Sequence, residues 1–159
     1  MKFLRRHRFK FVVTFLVIVL ITVSFYMLWV RVPYTRHKNR LDSIRNAIIR
    51  ENDYIYQDYF NAYNSDQTYF ILYVEDDGEN QYVAFDSQRQ FITAYAGDVV
   101  TEDSVIATFL ESYEVEPTNI EVGFENERFV YCIKYKEGDT LLFAFYSIDN
   151  GQFIKSYHL

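Results

Sequence analysis

The chain has 159 residues, with 16 Lys+Arg against 22 Asp+Glu and a formal net charge of −6. Aromatic residues make up 19% and there are only five glycines and two prolines, which excludes a disordered chain. The single cysteine, Cys132, excludes an intramolecular disulfide framework and any multi-cysteine metal site.

The modest net charge hides an asymmetry. Residues 1–40 carry nine basic side chains and no acid, so residues 41–159 carry the other seven basic and all 22 acidic residues, a net charge of −15. A nucleic-acid partner is excluded on this ground, because phosphate binding needs clustered Lys and Arg.

From Phe11 to Val30 the sequence reads FVVTFLVIVLITVSFYMLWV, twenty residues without a charge. At about 1.5 Å per residue this is roughly 30 Å of helix, the thickness of a bilayer's hydrocarbon core. A helix is the one single-segment structure that satisfies its own backbone there. A soluble core helix would need a polar face, and this stretch has none. A cleaved signal peptide would have a shorter apolar region and a small-x-small cleavage site, and neither is present. Tyr26, Trp29 and Tyr34 cluster at the far end, as headgroup-level rings do. Pro33 disfavours helix at Val32, so the helix is predicted to end near Arg31. The regions that follow are a basic flank (1–10), a single-pass transmembrane anchor (11–30) and a basic juxtamembrane linker (31–40). Five Lys/Arg precede the span and four follow within ten residues. That narrow excess places the N-terminus in the cytoplasm and the acidic remainder outside the cell. The stretch RVPYTRHKNR can rest on anionic headgroups or serve as a solvated flank.

The acidic part contains a repeat. TYFILYVEDDGENQYVAFDSQRQFITAY, from Thr68, parallels RFVYCIKYKEGDTLLFAFYSIDNGQFIKSY, from Arg128. Gly78 and Gly138 align sixty residues apart, Ala84-Phe85 aligns with Ala144-Phe145, and Gln90-Phe91-Ile92 with Gln152-Phe153-Ile154 after two extra residues in the last turn. Upstream, Asp42-Ser43-Ile44 aligns with Asp103-Ser104-Val105 at an offset of 61.

Each copy opens with a helix. Leu41, Ile44, Ala47 and Ile48 form the stripe of the first. In the second, Thr101 is the N-cap, Glu102 and Asp103 occupy the first turn, Val105, Ile106, Phe109, Leu110 and Tyr113 share a face, and Pro117 lies beyond the end. Strands follow. Residues 119–125 alternate Ile120, Val122, Phe124 against Glu121, Gly123, Glu125, and residues 128–136 continue that period of two. Glu137-Gly138-Asp139 and Asp149-Asn150-Gly151 read as tight turns. The expected fold class is α+β: a single transmembrane helix, then two tandem units (41–97 and 98–159), each a helix on an antiparallel four-stranded meander. Units of about sixty residues are marginal alone, so the pair is expected to pack together.

The basic start, the single span, and tandem units with a D-S-hydrophobic helix start, an Ala-Phe pair and a Gly151-Gln152-Phe153-Ile154 ending resemble the TseB-like (YpmB-like) membrane proteins of Gram-positive bacteria. The resemblance implies two PepSY-like, cystatin-like modules outside the membrane. It also implies a non-enzymatic role in regulating cell-wall elongation through a peptidoglycan transpeptidase (penicillin-binding protein) partner. PepSY-like modules in general imply a second reading, an inhibitor or chaperone of an extracellular peptidase.

Chemistry is sparse. His7, His37 and His158 have no partners at metal-ligand spacing. Cys132 lies in an alternating strand, as a small buried residue would. The run Glu75-Asp76-Asp77-Gly78-Glu79 lacks the spacing of a calcium loop and reads as a hairpin turn. No catalytic, cofactor or metal residue is expected, and no small-molecule substrate. The one anomaly is the first strand, YIYQDYFNAY. It places Tyr54, Tyr56 and Phe60 on one face and Ile55, Tyr59 and Tyr63 on the other. Either one face meets the helix and the other meets the second unit or a loop, or Tyr54, Tyr56, Tyr59, Phe60 and Tyr63 form an aromatic partner-binding patch.

Overall fold

The computed structural model describes the backbone of residues 2–159 and the side chains of residues 11–159, so the side chains of the basic flank lie outside the described residues. The chain divides into two compact units, with the boundary between Ser43 and Ile44. Among the described residues, one helix is long and apolar enough to cross a membrane.

That helix starts with α1 (Lys2–Tyr26), passes through a π-helical turn (Met27–Arg31) and continues as α2 (Val32–Glu51). The break predicted at Pro33 does not occur, and the basic juxtamembrane segment 31–40 is helical. Val32 sits in the αR region (φ −65, ψ −48), which a following proline ordinarily disfavours. The reason lies one turn back. Val32 N–H donates to Met27 O, five residues earlier. This wider turn gives the Pro33 ring room that a regular i−4 ladder would deny it.

The second unit contains two antiparallel sheets. Sheet 1 has the order β1-β2-β3-β4: β1 (Ile55–Asn64), β2 (Thr68–Asp76), β3 (Glu79–Phe85) and β4 (Phe91–Tyr95). After α3 (Glu102–Tyr113), sheet 2 has the order β5-β6-β7-β8: β5 (Asn119–Glu125), β6 (Arg128–Glu137), β7 (Thr140–Ser147) and β8 (Phe153–His158). The α+β class and the two meanders agree with the sequence reading. Helix α3 is capped as expected: Thr101 Oγ1 accepts from Ser104 N–H at 3.4 Å, with Glu102 and Asp103 in the first turn.

The repeat is real in topology, but its register differs from the sequence alignment. The β2–β3 hairpin closes on the pair Asp76–Glu79 and the β6–β7 hairpin on Glu137–Thr140. Pairs Leu72–Val83 and Ile133–Ala144 likewise correspond. The offset is therefore 61, the same as between Ile48 and Phe109, both fully buried. Gly78 and Gly138 are not equivalent. In the first turn Asp77 (φ 50) and Gly78 (φ 86) both have positive φ, whereas in the second only Gly138 (φ 56) does. These are the sign patterns of type I′ and type II′ turns, so matching glycine to glycine slips the alignment by one. Val83-Ala84-Phe85 corresponds to Ala144-Phe145-Tyr146, and the last turn of the second copy has one extra residue rather than two.

The core runs through both sheets. Tyr63, Tyr69, Ile71, Tyr82 and Ala84 of sheet 1 join Val105, Phe109, Val122, Phe124, Tyr131 and Ile133 in one buried cluster. The other face of sheet 1 buries Phe70, Leu72, Val74, Val83 and Phe85, and α2 buries Ile48. The two halves thus pack together, as their small size demands.

Candidate functional site

Strand β1 carries the aromatic residues singled out in the sequence. Tyr54 lies just before it. A bulge between Tyr56 and Tyr59, with Asp58 at φ 55, inserts two residues. Two is an even number, so the alternation survives the bulge. Tyr56 and Phe60 pair with Val74 and Leu72 on the α2 side, where the Arg45 guanidinium lies 5.2 Å from the Tyr56 ring and Phe60 stacks on Phe70. Tyr59 and Tyr63 pair with Tyr73 and Tyr69 and face sheet 2. The structure therefore splits the five: two on the helix side, two in the seam between the sheets, and Tyr54 outside the strand.

The seam is a side-chain clamp on an edge strand. Tyr59 OH accepts from Val122 N–H at 2.6 Å and lies 3.3 Å from Val122 O, which also accepts from Asn61 Nδ2 at 3.1 Å. Val122 is fully buried, so these bonds satisfy backbone groups that the β5 edge would otherwise leave orphaned. Tyr69 meets Phe124 edge-on at 5.1 Å, and Tyr82 meets Phe129 at 6.1 Å. Burial pushes the Tyr59 and Tyr63 hydroxyls well above the ordinary tyrosine value.

Beside the seam, on the face of sheet 2 opposite α3, lies a groove of about 350 Å³. Its apolar lining includes Cys132 and Phe145, only 1% and 5% exposed, with Phe143 and Tyr157 alongside. Two ion pairs flank it. Lys134 Nζ lies 2.6 Å from Glu121 Oε1, and Lys155 Nζ lies 2.9 Å from Glu125 Oε2. Tyr63 OH (2.9 Å) and Ser65 Oγ (2.7 Å) both donate to Glu125 Oε1. Lys155 also sits 4.8 Å from the Phe145 ring centre and 5.0 Å from that of Tyr157.

The electrostatics follow from these contacts. Burial alone would raise the Glu125 carboxyl. Hydrogen bonds from Lys155, Ser65 and Tyr63 outweigh that and hold it below the usual carboxylate range. Burial first, then the charge of Glu121, pushes the Cys132 thiol up to about 12. Among the described residues there is no group of three His, Cys, Asp or Glu able to hold a metal. His158 lies at the end of β8 beside Tyr113. The acidic run 75–79 forms the β2–β3 hairpin, where Gln81 donates to Asp76 and Gln57 to Glu75.

Sequence reasoning did not assemble this groove. The alternation had put Glu121, Gly123 and Glu125 on one face of β5. What it lacked was the register that sets Glu121 against Cys132 and Lys155 against Phe145. Compared with protein-family models, curated proteins and solved structures, the chain matches none.

Proposed function

We propose that this chain is a membrane-anchored docking protein that acts by contact rather than by chemistry. The uncharged twenty-residue span serves as an uncleaved single-pass anchor, with the N-terminus in the cytoplasm and the acidic β-domain outside the cell. The resemblance to the TseB-like family supplies the partner: a wall-synthesis transpeptidase whose elongation activity the β-domain regulates through two PepSY-like modules.

One observation carries the reading. The charged side chains that flank the groove beside the seam are closed on each other in two ion pairs. A general acid needs a raised pKa and a free approach to substrate, and Glu125 has the opposite shift and three hydrogen-bond donors. Glu121 and Glu125 are four residues apart on one strand, about 13 Å along it, beyond the roughly 5–9.5 Å of a glycosidase pair. What remains is an apolar lining with fixed polar rims, the make-up of a protein-binding surface.

The test is crosslinking in intact cells of the full-length chain, followed by identification of what copurifies. An elongation transpeptidase in the adduct, together with altered cell shape on deletion, supports the reading. Normal shape and no transpeptidase adduct count against it. External protease on protoplasts checks the orientation: the acidic domain should be removed.

A further inference from the structure

The two modules are built alike but not covered alike. In sheet 1, α2 lies on the Tyr56 side and the opposite face, with Tyr59, Asn61, Tyr63 and Tyr69, is filled by the edge strand β5. In sheet 2, α3 lies on the side of Leu142 and His158, where Tyr113 meets His158. The 61-residue offset carries Ile71 onto Cys132, Tyr82 onto Phe143 and Ala84 onto Phe145. The face of sheet 2 equivalent to the seam face of sheet 1 is therefore the groove. Tyr63 of β1 covers its β5 side; over the remainder no element among the described residues of 44–159 lies, and Tyr157 there is 50% exposed.

We propose that this groove receives an exposed edge β-strand from a partner protein with a basic surface, as the matching face of sheet 1 receives β5. This deepens the docking reading above and rests on it. The internal seam shows what such a face takes. Tyr59 and Asn61 grip the N–H and C=O of Val122, so the clamp recognises an unpaired strand edge rather than a particular side chain. In the groove the Lys134–Glu121 and Lys155–Glu125 ion pairs form a fixed polar rim, Cys132 and Phe145 form the buried floor, and Phe143 and the half-exposed Tyr157 supply the apolar surface left to contact. The two ion pairs stand about 13 Å apart along β5, and the Tyr63 ring already covers Gly123 between them, so an incoming strand lies over β7 and β8, on the side of Phe143 and Tyr157. Charge selects the occupant. Residues 41–159 carry a net −15, so a second copy is repelled and a basic partner attracted.

The experiment places a photo-crosslinking phenylalanine analogue at Phe143, at Tyr157, and at Ile92 on β4 of sheet 1, in the full-length membrane-bound chain in intact cells. The crosslinked segments are then sequenced by mass spectrometry. The expected result is adducts from Phe143 and Tyr157 that map to alternate residues of one exposed strand of one basic-surfaced protein. The Tyr157→Glu variant, which replaces the exposed ring at the groove edge with a charge beside Lys155, should lower the Phe143 adduct by about tenfold or more. Adducts from the groove that map to a second copy, to a helix or to lipid overturn the inference, as does an unchanged yield in Tyr157→Glu. Partner adducts from Ile92 alone overturn the groove but leave the docking reading standing. No adduct from any position overturns both.

Discussion

The ring of Tyr63 lies directly over Gly123. A Cβ at that glycine would come within 2.6 Å of Tyr63 Cε2 and Cζ, and the Tyr63 hydroxyl continues past it to Glu125 at 2.9 Å. This contact ties β1 of the first module to β5 of the second, and only a residue without a side chain allows it. Gly123→Ala would ordinarily help a strand by about 0.5–1 kcal/mol, because alanine loses less conformational freedom on folding. Here the sign reverses. The added methyl forces out a ring that is 5% exposed and hydrogen-bonded, at a cost of about 1–3 kcal/mol of stability. Urea denaturation of the β-domain in the full-length chain measures it. Combining Gly123→Ala with Tyr63→Ala should recover much of the loss, and simple additivity of the two would show that the contact does not carry the effect.

The second prediction concerns the clamp on the β5 edge. Tyr59→Phe keeps the ring and its edge-on contact with Tyr82 at 5.7 Å but removes the acceptor for Val122 N–H. Val122 O keeps its bond from Asn61. One buried donor is then orphaned, which costs about 1–3 kcal/mol. Hydrogen exchange reads the site directly: the Val122 amide should lose protection in Tyr59→Phe by more than its neighbours along β5.

Acid stability should depend on Glu125. Its carboxyl is held below the usual range in the folded chain, so the unfolded state binds a proton more readily than the native state as pH falls. The stabilisation is fully present above the ordinary glutamate value near 4.5 and is lost as pH drops through the lower folded value. Glu125→Gln removes that dependence while keeping an acceptor for Ser65 and Tyr63. The expected outcome is a shallower acid limb in a plot of unfolding free energy against pH from 6 to 2. An unchanged slope would mean that Lys155, Ser65 and Tyr63 do not set the proton affinity of this group.

Much of this fold was legible in the sequence because it rests on periodicity. The uncharged run from Phe11 to Val30, the alternation in β5 and the Thr101 cap each follow from local rules, and each is found where expected. What failed was what two residues decide jointly. Pro33 breaks a regular α-helix, but not one that has already widened into a π turn at Met27–Arg31. Glycine matched to glycine slipped the repeat by one, because Asp77 takes the left-handed position that Gly138 takes in the other hairpin. The groove was invisible for the same reason. Glu121 and Lys134 are thirteen positions apart in sequence, and only the pairing register of β5 with β6 makes them neighbours.

Cys132 should be inert in the native chain although it lines the groove. Its residue is 1% exposed and its thiol is pushed up to about 12, so at pH 8 almost none is thiolate. A thiol reagent should label it at the rate of global or local opening, and adding denaturant should bring the rate to that of a free cysteine. Rapid native labelling would show that the floor of the groove opens to solvent more than its burial implies.

The last prediction turns on a hydroxyl without a partner. Tyr146 is fully buried on the α3 side of sheet 2, stacked edge-on with Phe153 at 5.7 Å, and its OH has no hydrogen bond among the described residues. An unsatisfied buried hydroxyl loses its bonds to water and gains none in return, a penalty of about 1–3 kcal/mol. The same burial pushes its ionisation up to about 12. Tyr146→Phe keeps the ring and its packing and deletes the stranded group. Most core substitutions destabilise, so a rise in the denaturation midpoint equivalent to about 1 kcal/mol is a discriminating outcome. A fall of similar size would mean that the hydroxyl is satisfied in solution, by a buried water bound at Tyr146.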